Sequence, residues 1–392
     1  MDERHEHRNA ESRRKTNPFG EGDTLSAMLW RRWRLTVGWL KRGLIWEFWP
    51  PWFFYLPIIF WASLLSLRYL GPLKATSVNP GISAYGKFLL NTKYDKLSGF
   101  SSEYVAPFEL LKYKDNLEKR TEKALKFTMK HNFPVVLKPD LGGRGAGVWI
   151  VKDSDQLMSD IELINYDAII QAYIPGVEYG IFWIRHPKEK RGHVVSITEK
   201  HLPKVTGDGK KTLEELVLTH PRSVCMANQH LAYLSDRLDY IPKDGEKVLI
   251  GELGTHSLGA LFLDGGEVHT PALDSRFASI ANSHEGFYFG RFDVRAPSIE
   301  HLKAGKEIQI LELNALFGEM THIWDRRLGL FHAWSTLCKQ WSQAYNIGAY
   351  NRTHGTPKAR YRDVLKETWN IWRLNRLHKR ATSLRNDRIQ AR

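Results

Sequence analysis

Gly290-Arg291-Phe292-Asp293-Val294-Arg295 and Ile310-Leu311-Glu312-Leu313-Asn314 are the two stretches from which this chain is best read. Side chains on a strand alternate between faces, so Arg291 and Asp293 share one face, and so do Glu312 and Asn314. The residues between them, Phe292, Val294, Leu311 and Leu313, are apolar and suited to a core. Two carboxylates and an amide oxygen then gather on one wet face. Hard oxygen donors of that kind take Mg²⁺ alongside the phosphates of a nucleotide.

Far upstream, Val135-Val136-Leu137-Lys138-Pro139-Asp140-Leu141-Gly142-Gly143-Arg144-Gly145-Ala146-Gly147 supplies a matching anion site. Glycines at 142, 143, 145 and 147 let successive backbone N–H groups point into one concavity, and Lys138 adds a point charge. Alone, this loop reads nearly as well as a glycine-rich hairpin turn. It is neither the phosphate loop ending in Gly-Lys-Ser/Thr nor the dinucleotide fingerprint. With the carboxylate strands it points to an enzyme that uses Mg-ATP.

The 392 residues suffice for two or three domains, and Cys225 and Cys338 are too few and too far apart for a disulfide scaffold or a metal knuckle. They suit a reducing compartment. No cleavable signal is expected at Met1, because the first long apolar run starts only near Leu44. Of the net charge of +14, the first 43 residues carry +4 and residues 357–392 carry +8, leaving +2 for the body. A nucleic-acid enzyme spreads its basic footprint over the working body. Basic tails on a near-neutral body fit an anionic membrane surface better, and no nucleic-acid partner is expected.

Residues 1–25 are polar and without periodicity, so region 1–43 is expected to be disordered and basic, with Arg31, Arg32, Arg34, Lys41 and Arg42 interleaved with Trp30, Trp33 and Trp39. From Phe48 to Leu67 run 20 uncharged residues, a bilayer's width. A simple crossing would carry the nucleotide loop to the side where ATP is scarce. Pro50, Pro51 and Pro57 disfavour one straight helix, so segment 44–70 is expected to be re-entrant or to lie in the headgroup layer at the cytoplasmic face. An aromatic core helix of a soluble, cytoplasmic protein is the alternative. Helices are expected over 115–131, 154–164 and 328–345, and strands over 168–172, 179–185, 194–198 and 308–314. The fold class is α+β: a body at 71–330, made of a reduced N-terminal part (71–115), a central part with the glycine loop (116–205) and a metal-binding part (206–330). A helical basic extension (331–392) follows, with Leu365, Trp369 and Trp372 at helical spacing.

The order of parts is what discriminates. Phe133-Pro134-Val135-Val136-Leu137-Lys138, the glycine loop, Ile169-Ile170-Gln171-Ala172-Tyr173-Ile174-Pro175-Gly176-Val177-Glu178, Arg291-Phe292-Asp293 and Glu312-Leu313-Asn314 together resemble the ATP-grasp superfamily. Within it the chain looks like the carboxylate–amine ligases related to D-alanine–D-alanine ligase and cyanophycin synthetase, over residues 90–330. That resemblance implies an ATP-grasp fold, two α+β subdomains clamping ATP. It implies that Lys138 and Lys93 contact phosphates, that Gly142, Gly143, Gly145 and Gly147 close over them, and that Gln171, Tyr173 and Ile174 form the hinge at adenine. Glu178 would take the ribose, and Asp293, Glu312 and Asn314 would hold Mg²⁺, with Mn²⁺ as an alternative. Arg291 would stabilise the transferring phosphoryl group. In Leu202-Pro203-Lys204-Val205-Thr206-Gly207-Asp208-Gly209, similar to a segment of the cyanophycin-synthetase branch, Lys204 would reach nucleotide or acyl-phosphate; a surface hairpin reads about as well. His256 sits in a loop resembling one near the substrate, though a lone histidine is more often structural. The ending Asn314-Ala315-Leu316-Phe317-Gly318 lacks the ligase's proline-glycine step, so D-alanine is not implied.

The expected reaction is amide formation through an acyl-phosphate, joining a small or lipid-linked carboxylate to an amine. A kinase-like phosphotransferase uses the same phosphate and metal residues. A membrane-bound nucleotide sensor is the non-enzymatic reading. Oligomeric state is not legible.

Overall fold

The computed structural model describes residues 25–82, 91–357 and 359–391. Of the region 1–43 expected to be disordered, residues 1–24 lie outside them, whereas residues 25–43 are helical, within Leu25–Leu44, where Arg34 and Arg31 find partners later in the chain. The chain forms two units, Met1–Pro51 with Leu202–Glu252, and Trp52–His201 with Leu253–Arg392.

The larger unit starts from strands β1 (Phe108–Leu111), β2 (Val135–Pro139), β3 (Trp149–Val151) and β4 (Ala168–Ala172), which form an antiparallel sheet in the order β1-β4-β2-β3. Helix Leu117–His131 is capped by Asn116, whose side chain accepts from Lys119 N, and Glu118 in its first turn faces the positive helix end. It buries Ala124 and Phe127 in one core with Leu137, Val151, Leu157, Ile161 and Ile170. The long C-terminal helix Tyr361–Ala391 adds Ala381, Leu374 and Leu377 to that core. Its Arg385 is clamped by Asp160 at 2.9 and 3.0 Å, both nearly buried.

β5 (Val177–Ile184) and β6 (His193–His201) open a second sheet. The chain then leaves for the smaller unit, where β7 (Lys204–Thr206) pairs with β8 (Lys247–Leu249). There, helix Leu25–Leu44 is tied to the insertion by Arg34, whose guanidinium donates to Leu218 O at 2.8 and 2.9 Å. Arg31 pairs with Glu214, and buried Glu47 accepts from Arg222 at 2.6 Å. The chain returns as β9 (Leu261–Asp264), β10 (Phe289–Ala296) and β11 (Gln309–Asn314), completing the order β11-β10-β5-β6-β9. The sheets therefore divide the chain differently from a boundary at residue 205: β5 and β6 stand with the carboxylate strands, and residues 202–252 belong to the other unit. Helix Leu330–Thr353 runs eight residues past the expected end at 345.

The aromatic run is broken where its prolines stand, into a 3-10 turn Trp46–Phe48, a short helix Pro51–Phe54 and a helix Leu56–Arg68. Among the described residues no helix is long and apolar enough to cross a membrane. Helix Leu56–Arg68 buries Ile58 and Leu65 but leaves Leu56, Ile59, Phe60, Leu64 and Leu67 exposed.

Candidate functional site

On the five-stranded sheet, Asp293 stands opposite Glu312, and Arg291 opposite Asn314. Phe292, Val294 and Leu313 turn the other way into the core, each fully buried. Leu311 does not join them. The register slips beside it, so Val294 pairs with Ile310 and Ile310 takes the core place. The bulge leaves the Leu311 carbonyl outside the ladder, where it accepts a hydrogen bond from Lys138 Nζ at 3.0 Å.

Asp293 is fully engaged. Arg291 donates to it at 2.8 and 3.3 Å, the Asn314 amide nitrogen at 3.0 Å, and Lys200 on β6 lies 2.9 Å away. Burial alone would push this carboxyl up, but the Arg291 guanidinium and Lys200 ammonium outweigh it and hold it well below the ordinary carboxylate range. Lys200 also binds Glu178 at 3.2 Å, and Arg295 clamps Glu178 from the other side at 2.9 and 3.2 Å. Between these rows stands Gly180, paired with Asp293; a Cβ there would come within 3.1 Å of Arg291 and 3.5 Å of the Asp293 carboxylate.

The lysines of the other sheet are differently placed. Lys138 is buried and donates to two neutral oxygens, Gln171 Oε1 at 2.7 Å and Leu311 O. Lys93, also buried, starts a short helix capped by Thr92 and donates to Pro139 O at 3.1 Å and Gly142 O at 2.8 Å; its nearest carboxylate, Glu312, is 3.7 Å away. Burial pushes the Lys138 ammonium down to about 8, with Glu312 pulling the other way. Lys96, one turn after Lys93, is pushed down to about 8 by the same balance. For Glu312 burial is again the largest influence, yet Lys93 and Lys138 together hold it below its ordinary value. A cluster this rich in cations favours a polyanion.

The glycine loop makes two turn bonds of its own, Ala146 N to Gly143 O at 3.3 Å and Val148 N to Gly145 O at 3.2 Å. The N–H groups of Gly143, Arg144 and Gly145 have no acceptor among the described residues. Gly142 and Gly147 carry φ of 133° and 72°, which a side chain tolerates poorly. Against the loop lies residue run 253–258: Ser257 Oγ donates to Arg144 O at 3.2 Å.

Of the expected hinge, Gln171 is buried and spent on Lys138 and, through Nε2, on Ala106 O at 3.3 Å. The Ile174 carbonyl accepts from Arg295 at 2.7 Å, and the same guanidinium lies 4.9 Å over the Tyr173 ring. Lys204 is exposed on β7 and belongs to the smaller unit. His256 stacks on Trp324 at 4.8 Å between centroids. Lys200, Lys96, Arg295 and Glu319 are participants that sequence reading left unassigned. Glu319 accepts from Tyr55 of the aromatic segment, and its carbonyl accepts from Arg291 at 2.9 Å. For Lys200 the signal was available: β6 alternates, and Thr198 and Lys200 share a face.

The donor chemistry suits a hard divalent cation. Asp293 and Glu312 are cross-strand neighbours, and turning over the Asn314 amide exchanges its nitrogen for an oxygen. Among the described residues no three His, Cys, Asp or Glu side chains gather at one point. A cation here would draw its remaining ligands from water and phosphate oxygens, as Mg²⁺ commonly does.

No family model and no curated protein matches this chain. Solved structures similar to it include a D-alanine–D-alanine ligase from Bacillus anthracis, at 17% identity over 67% of this chain and 69% of that one, TM-score 0.38. A bifunctional glutathione synthetase from Pasteurella multocida is 19% identical over 62% of this chain, TM-score 0.35, and this chain spans only 34% of that one. The biotin carboxylase domain of Hydrogenobacter thermophilus 2-oxoglutarate carboxylase, solved with MgADP, is 12% identical over 65% of this chain and 46% of that one, TM-score 0.37.

Proposed function

We propose that this chain is an ATP-grasp-type, ATP- and Mg²⁺-dependent carboxylate–amine ligase. The observation that carries the reading is the buried Lys138 ammonium, held by the neutral oxygens of Gln171 and Leu311, with Lys93 beside it 3.7 Å from Glu312 and a loop whose N–H groups at Gly143, Arg144 and Gly145 have no acceptor among the described residues. Buried cations without a close counter-ion are costly unless an anion comes to them.

Lys93, Lys138 and the loop backbone receive the polyphosphate, with Lys96 and Lys200 in support. Glu178 takes the ribose. Gln171 being engaged with Lys138, the base is met by the backbone of Tyr173 and Ile174. Asp293, Glu312 and Asn314 would hold Mg²⁺ (or Mn²⁺), which when bound would neutralise phosphate oxygens. A substrate carboxylate oxygen attacks the γ-phosphorus; that O–P bond forms as the bond to the bridging oxygen breaks and ADP leaves. Arg291 steadies the charge spreading over the transferring group. An amine nitrogen then attacks the acyl carbon, the C–N bond forms, phosphate departs and the nitrogen gives up its proton. Lys204 is assigned to nucleotide or acyl-phosphate. Purified protein given MgATP, pooled amino acids and lipid-linked acids should release ADP, and added hydroxylamine should trap a hydroxamate. ADP release with a stable phosphorylated product and no hydroxamate favours the kinase-like alternative; no ADP release under any acid ends the enzymatic reading.

The site is further assigned to the cytoplasmic face of a membrane, with small or lipid-linked acids and amines as substrates. What supports this is the exposed row Leu56, Ile59, Phe60, Leu64 and Leu67, together with the basic amphipathic C-terminal helix, whose Leu365, Trp369 and Trp372 are exposed. Co-sedimentation with vesicles containing anionic lipid should be lost in Phe60→Ser/Leu67→Ser; equal binding by wild type and variant removes the assignment.

A further inference from the structure

Two polar atoms lie buried and unpartnered beneath the glycine loop. Among the described residues the Tyr166 hydroxyl and His378 Nδ1 have no hydrogen-bond partner, and the residues are 4% and 1% exposed. Their rings touch edge to face, 4.4 Å between centroids. They sit at opposite ends of the loop. An added Cβ on Gly142 would fall 3.1 Å from His378 Nδ1, and one on Gly147 would fall 3.1 Å from the Tyr166 oxygen. Tyr166 follows helix Ser154–Leu163, whereas His378 comes from the C-terminal helix, outside the 90–330 stretch that carries the motifs.

A buried hydroxyl and a buried ring nitrogen left unpaired each forfeit the hydrogen bond that water would have given them. Native structures rarely leave two side by side without a use. The backbone above them has three glycines at positive φ and, at Gly143, Arg144 and Gly145, N–H groups with no acceptor among the described residues. Burial pushes the His378 imidazole down to about 4, with Lys93 adding to the shift, so at neutral pH it is uncharged. With its proton on Nε2, such a ring presents Nδ1 as an acceptor.

We propose that Tyr166 and His378 form a latch for the glycine loop: when nucleotide draws the loop down, the Tyr166 hydroxyl donates to a loop carbonyl and His378 Nδ1 accepts a loop N–H. The latch rests on the nucleotide reading above. Both are positioning residues, acting on phosphate through the loop. The C-terminal helix thereby becomes part of the nucleotide site, anchored at one end by the Arg385–Asp160 clamp.

The test follows hydrogen exchange of residues 139–150 and tryptic cleavage after Arg144, across a MgATP titration of the full chain. Wild type should gain protection with nucleotide. Tyr166→Phe removes one oxygen and no packing, and His378→Leu removes the acceptor. Each should raise the half-saturating MgATP about tenfold, one hydrogen bond's worth, and raise KM more than it lowers kcat. His378→Asn, which keeps an acceptor near the Nδ1 position, should restore most of the loss. Wild type that binds MgATP, with Tyr166→Phe protected at the same concentrations, overturns the latch alone. Wild type that gains no protection at any MgATP concentration and binds none overturns latch and nucleotide reading together.

Discussion

On the four-stranded sheet, Lys138 reaches across to the bulged Leu311 carbonyl and finds only neutral oxygens. On the five-stranded sheet, Lys200, Arg291 and Arg295 are each already closed on a carboxylate, Asp293 or Glu178. One face holds a cation bonded to neutral oxygens, and the other holds cations and acids that hold each other in place. Binding a polyanion satisfies the first face and leaves the second as a preformed frame. The difference separates a cation free to take an anion from acids and cations already set in place before one arrives.

The comparison is broken most directly at Lys138. Lys138→Met should cut ATP-dependent ADP release by about 10²–10³, the scale for losing one buried electrostatic contact to a transition state. It should not lower thermal stability, since it removes a buried charge that has no acid of its own. A variant that melts earlier than wild type would mean that Lys138 belongs to the frame. Asp293→Asn should fail on both counts. Turnover should fall by about 10², and stability by about 3–5 kcal/mol in denaturant titration, because Arg291 and Lys200 lose a shared buried partner. Unchanged turnover in both Asp293→Asn and Glu312→Gln would remove the metal assignment.

A smaller effect sharpens the contrast through pH. With Lys138 pushed from its ordinary 10.5 to about 8 by burial, both folded and unfolded states carry the proton below about pH 8. Between about 8 and 10.5 the folded state releases it while the unfolded state keeps it, so this group makes the fold more stable as pH rises through that window. Nucleotide affinity runs the opposite way and should fall about fivefold between pH 8 and pH 9, measured by calorimetry. Lys138→Arg should flatten that fall. The smallest effect on turnover is expected from Glu178→Gln, a rise of about threefold to tenfold in KM for ATP with kcat nearly kept, as one charge-assisted contact to the ribose is weakened, together with a loss of stability because Lys200 and Arg295 lose the carboxylate they share.

Much of the carboxylate strand pair was legible because strand periodicity is a property of one segment. Arg291 and Asp293 had to share a face once the segment was a strand. The bulge at Leu311 was not legible, because a slip in register is decided by both strands and by what packs beneath. Lys96 reads in isolation as a solvated charge; only its neighbours make it part of a cluster. The prolines at 50, 51 and 57 broke the aromatic run as backbone chemistry dictates. The grouping of residues 202–252 with the N-terminal helix was invisible, since it depends on partners such as Arg34 and the Leu218 carbonyl, 184 residues apart.

That last pairing sets a timetable for synthesis. Helix Leu25–Leu44 emerges with Trp33 and Trp39 outward, and Glu47 with it, yet Arg222 follows Glu47 by 175 residues. At about 5–20 residues per second the ribosome needs roughly 10–35 s to deliver it. For that interval helix Leu25–Leu44 waits for Glu214, Leu218 and Arg222, the later partners that tie it and Glu47 into their unit.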